Sequence, residues 1–289
     1  MKYAYYPGCT LHTSTKEYDM STKAVCEKLD VELEEIEDWN CCGALGAFSY
    51  DYFLSVVLPA RNLALSEKKD LVIVASCNAC YHNIAKAKKL MDGDENLKKK
   101  VNDVLEVRYQ GKAKIRHLLD IIVNEVGLEN VEKKIKKPLK GLKVAPYYGC
   151  LIVRPAEIAR FDDQENPQSL DHLLKKLGVE VLPFPLKVKC CGASLVVSDE
   201  ELALRLTRNI LLTAQSMGAS CIAVTCPLCH TNLDAYQHRL ELKYNVEIKM
   251  PVLYFTQIMG LAMGIEPKKL GLDKNIVSTE KVIEVVGEV

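Results

Sequence analysis

One cysteine template, written twice, constrains this chain more than any other feature. Cys41, Cys42, Cys77 and Cys80 recur as Cys190, Cys191, Cys226 and Cys229, each at an offset of 149 residues. The leading cysteines, Cys9 and Cys150, are offset by 141. Both halves therefore read C-x(n)-CC-x34-CxxC, with n of 31 in the first and 39 in the second. Ten of the 12 cysteines obey this one pattern, so the chain is a duplication. The flanks repeat too. Ala4-Tyr5-Tyr6-Pro7-Gly8 precedes Cys9 much as Ala145-Pro146-Tyr147-Tyr148-Gly149 precedes Cys150, and Cys42-Gly43-Ala44 matches Cys191-Gly192-Ala193. The segments 115–129 and 252–266 correspond at an offset of 137, which puts about twelve extra residues in the first half, in the Lys-rich stretch near 92–103. A boundary is expected near 137–141, in the Lys-Lys-Pro-Leu-Lys-Gly stretch, giving units 1–139 and 140–289.

A chain of 289 residues can build two cores. Short β-runs at 2–6 and 142–147, and apolar runs at 71–75 and 220–225, alternate with helical patterns at 15–29, 49–68, 168–177 and 199–217. Strands separated by helices predict an α/β fold, one parallel sheet flanked by helices per half, the halves related by approximate two-fold symmetry. Cys9, Cys77, Cys150 and Cys226 then follow strand ends, where parallel α/β folds gather their ligand sites.

Lys plus Arg equals Asp plus Glu at 38 each, so no overall field favours nucleic acid. No segment has the apolar length of a membrane span. The opening MKYAYYPGCTLHTS lacks the apolar stretch of a signal peptide, and a cytoplasmic chain is expected. There the cysteines serve metal binding or catalysis in preference to disulfides. Zinc takes four tetrahedral ligands, whereas each half offers five, two of them adjacent with Cα atoms ~3.8 Å apart. Neighbouring thiolates fit more easily on different irons of a cluster, although ferredoxin spacing is absent. Direct dithiol chemistry at CxxC, or a pure electron-transfer module, are the alternatives. No G-x-G-x-x-G follows a strand, so a nicotinamide or flavin site is not expected.

The twice-present CCG motif with its CxxC partners resembles the CCG cysteine-rich domain family, in particular the B subunit of the CoB–CoM heterodisulfide reductase of methanogens. The resemblance covers essentially the whole chain. The family's gap between CC and CxxC is slightly longer than the 34 residues that both halves share here. It implies two noncubane [4Fe–4S] clusters, one on Cys9, Cys41, Cys42, Cys77 and Cys80, the other on Cys150, Cys190, Cys191, Cys226 and Cys229. It also implies an oxidoreductase that reduces the heterodisulfide of coenzymes M and B in methanogenesis, each cluster supplying one electron. The implied partners are a ferredoxin-like subunit and a flavin-containing subunit of the same complex, with a hydrogenase or formate dehydrogenase upstream. Similar paired domains occur in lactate- and glycolate-oxidising systems, which is the alternative within the family.

Residues near the template supply candidate substrate contacts. His12, His82 and His230 lie within three residues of a template cysteine and are candidate proton donors. Arg154, Lys187 and Lys189 are candidate partners for an anionic substrate. Cys26 and Cys221 have no counterpart in the repeat and are expected to be buried apolar residues.

Overall fold

The computed structural model describes residues 1–44, 46–159 and 161–287. The first half builds a four-stranded sheet from β1 (Lys2–Tyr6), β2 (Glu32–Glu35), β3 (Ile73–Ala75) and β4 (Ile115–His117), in the order β2-β1-β3-β4. The second half repeats it with β5 (Lys143–Tyr147), β6 (Glu180–Val181), β7 (Cys221–Val224) and β8 (Val252–Tyr254), in the order β6-β5-β7-β8. Every strand pair is parallel, with Ala4 opposite Ile73 in one sheet and Val144 opposite Cys221 in the other. The central strands are apolar and buried because helices cover both faces of a parallel sheet. The expected duplicated α/β architecture is the observed one.

Four strands are too polar or too short to carry a clear pattern. β2 is Glu-Leu-Glu-Glu, an edge strand whose Glu32 and Glu34 pair with Lys2 on β1 at 3.0 and 2.9 Å. β4, β6 and β8 have only two or three residues each. The helix expected over 49–68 is two helices, Ala47–Tyr50 and Leu54–Glu67. Between them the Asp51 carboxylate accepts the Leu54 N–H at 2.7 Å and starts the second helix. The extra residues of the first half lengthen two helices after CxxC: Asn78–Gly93 and Glu95–Val104 are longer than Pro227–Ala235 and Gln237–Tyr244.

The halves exchange helices reciprocally. Helix Lys16–Lys28 of the first half packs on helix Phe255–Ala262 of the second, and helix Ser169–Lys176 of the second packs on Leu118–Asp120 and Leu128–Lys133 of the first. In the first of these contacts Tyr18 stacks on Tyr254 with centroids 3.9 Å apart, and Tyr254 stacks on His230 at 4.3 Å. Tyr18 also donates its hydroxyl to the Thr225 carbonyl at 3.1 Å, and Ser21 meets Thr256 at 2.7 Å.

Beside that stack Glu17 is 5% exposed, and burial raises its carboxyl from the ordinary 4.5 to about 7. The folded chain therefore holds this proton more tightly than the unfolded chain. Its contribution is most favourable below pH 4.5, falls between 4.5 and about 7, and is constant above. Glu17→Gln is expected to stabilise the protein at pH 8 by on the order of 1 kcal/mol after solvent screening is allowed for. The gain should vanish at pH 4 in denaturant unfolding of both proteins. A gain that is the same at both pH values would show that the carboxylate's charge is not its source.

Candidate metal centres

Each template cysteine reaches its position for a structural reason. β1 and β3 end just before Cys9 and Cys77, and β5 and β7 end just before Cys150 and Cys226. Cys77 and Cys226 are extended residues that cap helices Asn78–Gly93 and Pro227–Ala235, so Cys80 and Cys229 sit in the first turn of each helix. Backbone N–H groups at such an end favour thiolate. The CC pairs stand on loops after the edge strands. Gly43 and Gly192 take φ of +76° and +85° there. Gly192 donates its N–H to Cys190 Sγ at 3.3 Å.

These loops are held by residues that repeat with the cysteines. Tyr6 donates to the carbonyl of Asn40 at 2.8 Å, and Tyr147 donates to that of Lys189 at 2.5 Å, in each case the residue before the CC pair. Asn83 donates to the Cys42 and Ala44 carbonyls at 3.3 and 3.0 Å, while Asn232 donates to that of Cys191 at 2.7 Å. Asn83 and Asn232 are 149 residues apart, so the full repeat is CxxC-x2-N. This signal lies in the sequence but escapes a search for metal ligands, because an asparagine that braces a loop has no ligand chemistry of its own.

The Gly192 backbone is tight. A Cβ added there would lie 2.8 Å from Ala203 Cα and 3.0 Å from its carbonyl oxygen. Gly192→Ala is expected to cost about 2–5 kcal/mol, combining left-handed strain with overpacking against backbone that cannot yield. Gly43→Ala should cost less, because its Cβ meets side chains, Ala47 at 2.8 Å and Leu58 at 3.2 Å. Thermal unfolding of the two variants checks the order, and a milder effect at Gly192 would contradict it.

In each half a thiol of the CC pair meets a thiol of CxxC: Cys42 and Cys80 lie 3.4 Å apart between sulfurs, and Cys191 and Cys229 lie 3.5 Å apart. Such neighbours divide their protons unequally. Cys41 is pulled down to about 2 by thiols of Cys42 and Cys9, while Cys42 is pushed up to about 12 by the same bond to Cys41. Cys190 is lowered to about 6 by Cys150, which is itself raised. At Cys226 burial, which would raise the thiol, is outweighed by bonds from Cys229 and Cys77.

All five second-half cysteines line one small cavity of about 40 Å³, together with Asn78 and Ala79 of the first half and the apolar Leu151 and Leu228. Among the described residues no group of three or more His, Cys, Asp or Glu side chains is gathered to hold a single metal ion. A set of five thiols around a common volume, with the Gly192 N–H donated to the Cys190 sulfur, fits a polynuclear iron–sulfur group better than one tetrahedral ion. Cys26 and Cys221 lie outside these sets, buried, with burial raising both to about 12.

The other candidates do not join them. His12 is half-exposed beside Glu35 at 3.2 Å, its ring edge-on to Trp39. Arg154 pairs with Glu165 at 2.7 Å, and the exposed Lys189 contributes its carbonyl to Tyr147. Lys187 is buried, its ammonium 2.6 Å from the Pro167 carbonyl and 3.4 Å from Asp171. His230 is buried in the tyrosine stack with Nε2 2.9 Å from the Val252 carbonyl. None of these five lines the second-half cavity. His82 is partly buried, and its Nδ1 has no hydrogen-bond partner among the described residues.

Comparison with known proteins agrees with this geometry. The CCG cysteine-rich domain matches twice, over residues 3–85 and 144–234. The chain is 36% identical to the 8-methylmenaquinol:fumarate reductase membrane anchor subunit of Wolinella succinogenes, over 97% of this chain and 98% of that one. It is 30% identical to the B subunit of the ferredoxin/F420H2-dependent CoB–CoM heterodisulfide reductase of Methanosarcina acetivorans, over 100% and 98%. A protein of Archaeoglobus profundus described as like the heterodisulfide reductase B subunit is 31% identical over 93% of each chain. A hypothetical protein from Helicobacter pylori shares the fold, with a TM-score of 0.78 at 18% identity over 96% of this chain. The chain spans about half, 52%, of that structure's length. Among the described residues no helix is long and apolar enough to cross a membrane.

Proposed function

The chain belongs to the CCG cysteine-rich domain family, and from that premise we propose that it is an iron–sulfur oxidoreductase subunit with one [4Fe–4S] cluster of noncubane type in each half. The first cluster would be held by Cys9, Cys41, Cys42, Cys77 and Cys80, and the second by Cys150, Cys190, Cys191, Cys226 and Cys229. The substrate of this reading is a disulfide, the heterodisulfide of coenzymes M and B. The observation that carries the reading is the cavity shared by all five second-half cysteines, whose template the first half repeats.

When bound, such clusters supply electrons one at a time, whereas a disulfide takes up two electrons and two protons to become two thiols. One cluster per half meets that count. The chain's own residues set the conditions. Gly192 stabilises sulfur charge at Cys190 through its N–H bond, Asn83 and Asn232 fix the CCG loops, and Leu151 and Leu228 keep water from the second cavity. Electrons would arrive from a ferredoxin-like partner fed by a flavin-containing one. Anaerobically purified protein with a reduced one-electron dye should convert the heterodisulfide to two thiols per two electrons consumed.

A second reading is supported by the 36% identity to the Wolinella protein. In it the chain passes electrons between partner proteins of a quinol:fumarate system and has no substrate of its own. Cluster reduction without thiol release, in protein that restores quinol-dependent fumarate reduction to its partners, would favour this reading over disulfide reduction.

A further inference from the structure

We propose that Phe48, Tyr50, Tyr52 and Lys86 form the docking face for a small acidic electron-carrier protein, which delivers single electrons to the group held by the first cysteine set. The inference rests on the reading that each half holds a cluster, and it adds the partner's charge and the point at which its electrons enter. Among the 12 cysteines only Cys9 and Cys41 are exposed. Their counterparts Cys150 and Cys190 are partly covered, and the apolar Leu151 and Leu228 line the cavity of the second set. A redox group on the first set therefore meets the surface, whereas one on the second set lies deeper in the protein.

Three exposed aromatic residues stand beside the exposed thiols. The Gly43 carbonyl accepts the Ala47 N–H at 3.0 Å, so the short helix Ala47–Tyr50 starts directly on the CCG loop. Phe48, Tyr50 and Tyr52 are 60%, 87% and 50% exposed, and Phe48 meets Tyr52 edge-on with centroids 6.1 Å apart. One exposed aromatic is ordinary, whereas three together mark a contact surface. Lys86 supplies the charge. Its ammonium lies 4.9 Å over the Phe48 ring, and among the described residues it has no ion pair. It follows by one helical turn the Asn83 that braces the same loop. The acids before Cys41 are already engaged, Glu34 and Glu37 by Lys69, Glu35 by Trp39 and His12, and Asp38 by Arg61. The Asp51 carboxylate caps the next helix. The unpaired charge at the patch is thus positive, which complements an acidic partner. At the 149-residue offset the second half has Val197, Asp199, Glu201 and Ala235 in these four places. Asp199 and Glu201 are exposed there, so the second half presents carboxylates that would repel the same partner.

The test uses anaerobically purified full-length protein, with a reduced acidic two-cluster ferredoxin as the probe. One electron passes from the ferredoxin to the oxidised first cluster, and no bond forms or breaks. Iron and sulfide are counted first, and wild-type protein without them defeats the parent reading before any rate is taken. Stopped-flow absorbance then gives the second-order rate of cluster reduction. Calorimetric titration of oxidised ferredoxin into oxidised protein gives the affinity. Lys86→Glu, and separately the double variant Tyr50→Ser with Tyr52→Ser, should lower rate and affinity about tenfold or more at low salt. A small viologen dye, which needs no docking face, should reduce both variants as fast as wild type. Lys86→Glu should also flatten the dependence on salt. Cys191→Ala, left with the first cluster, should still take electrons from the ferredoxin, and Cys42→Ala should not. Wild-type rate and affinity in either surface variant, or equal slowing with the dye, would overturn the proposal. So would fast reduction of Cys42→Ala, or iron-replete wild type that the dye reduces and the ferredoxin does not. Phosphatidylglycerol vesicles that bind wild type and not the surface variants, with ferredoxin rates unchanged, would assign the patch to a lipid surface and overturn it as well.

Discussion

Cys42→Ala and Cys191→Ala are each expected to abolish disulfide turnover, not to halve it. The chain is a duplication whose halves exchange helices reciprocally, and Asn78 and Ala79, next to Cys77 of the first half, line the cavity of the second-half cysteines. A disulfide is itself a near-symmetric pair of sulfurs that needs two electrons. If each half holds one cluster that supplies one electron, a variant lacking one cluster would be left with half of the two-electron supply at the disulfide. Independent sites would instead leave about half the activity after either loss. Cys42 and Cys191 suit the test because both are buried and hydrogen-bonded to the CxxC thiols of their own half, Cys80 and Cys229. Each variant must first show correct folding and loss of one cluster. Substantial steady turnover by either one would defeat the shared-substrate account.

The second large effect is on stability. Tyr18→Ala is expected to cost about 3–5 kcal/mol, the range for deleting a buried aromatic ring. Tyr18 is fully buried, stacks on Tyr254 and donates to the carbonyl of Thr225, the residue before Cys226. Its loss opens a cavity between the halves and leaves the Thr225 carbonyl buried without its partner. Tyr18→Phe should cost far less, because it keeps the stack and loses only the hydroxyl bond. Denaturant unfolding of the two variants checks the order. Equal losses would place the effect in the hydrogen bond and not in the packing.

The cysteine framework was legible because no other side chain does a thiolate's work, so duplication kept it visible at one fixed offset. The central strands were legible for a related reason, since burial on both faces demands an apolar run. The edge strand β2 was not, because Glu32, Glu34 and Glu35 reach solvent and lysines there. The helix break at Asp51 turns on a single carboxylate cap, which a periodicity reading passes over. His230 and Lys187 show how sequence adjacency misleads. Neighbouring residues on a helix are rotated about 100° from each other, and His230 accordingly packs into the Tyr254 stack while Cys229 faces the cavity. Lys187 precedes the CC pair on a loop, and its ammonium is held internally by Pro167 and Asp171. Asn83 and Asn232 were present in the sequence at the cysteine offset, yet their role is visible only once the carbonyls of Cys42 and Cys191 are seen to lie within their reach.

The central claim is that each half's five cysteines hold an iron–sulfur cluster, and counting metal and sulfide in anaerobically purified protein tests it most directly. The account predicts about eight irons and about eight acid-labile sulfides per chain, from two four-iron clusters. Each should fall by about half in Cys42→Ala or Cys191→Ala. Stoichiometric zinc with little iron, and no acid-labile sulfide, would contradict it.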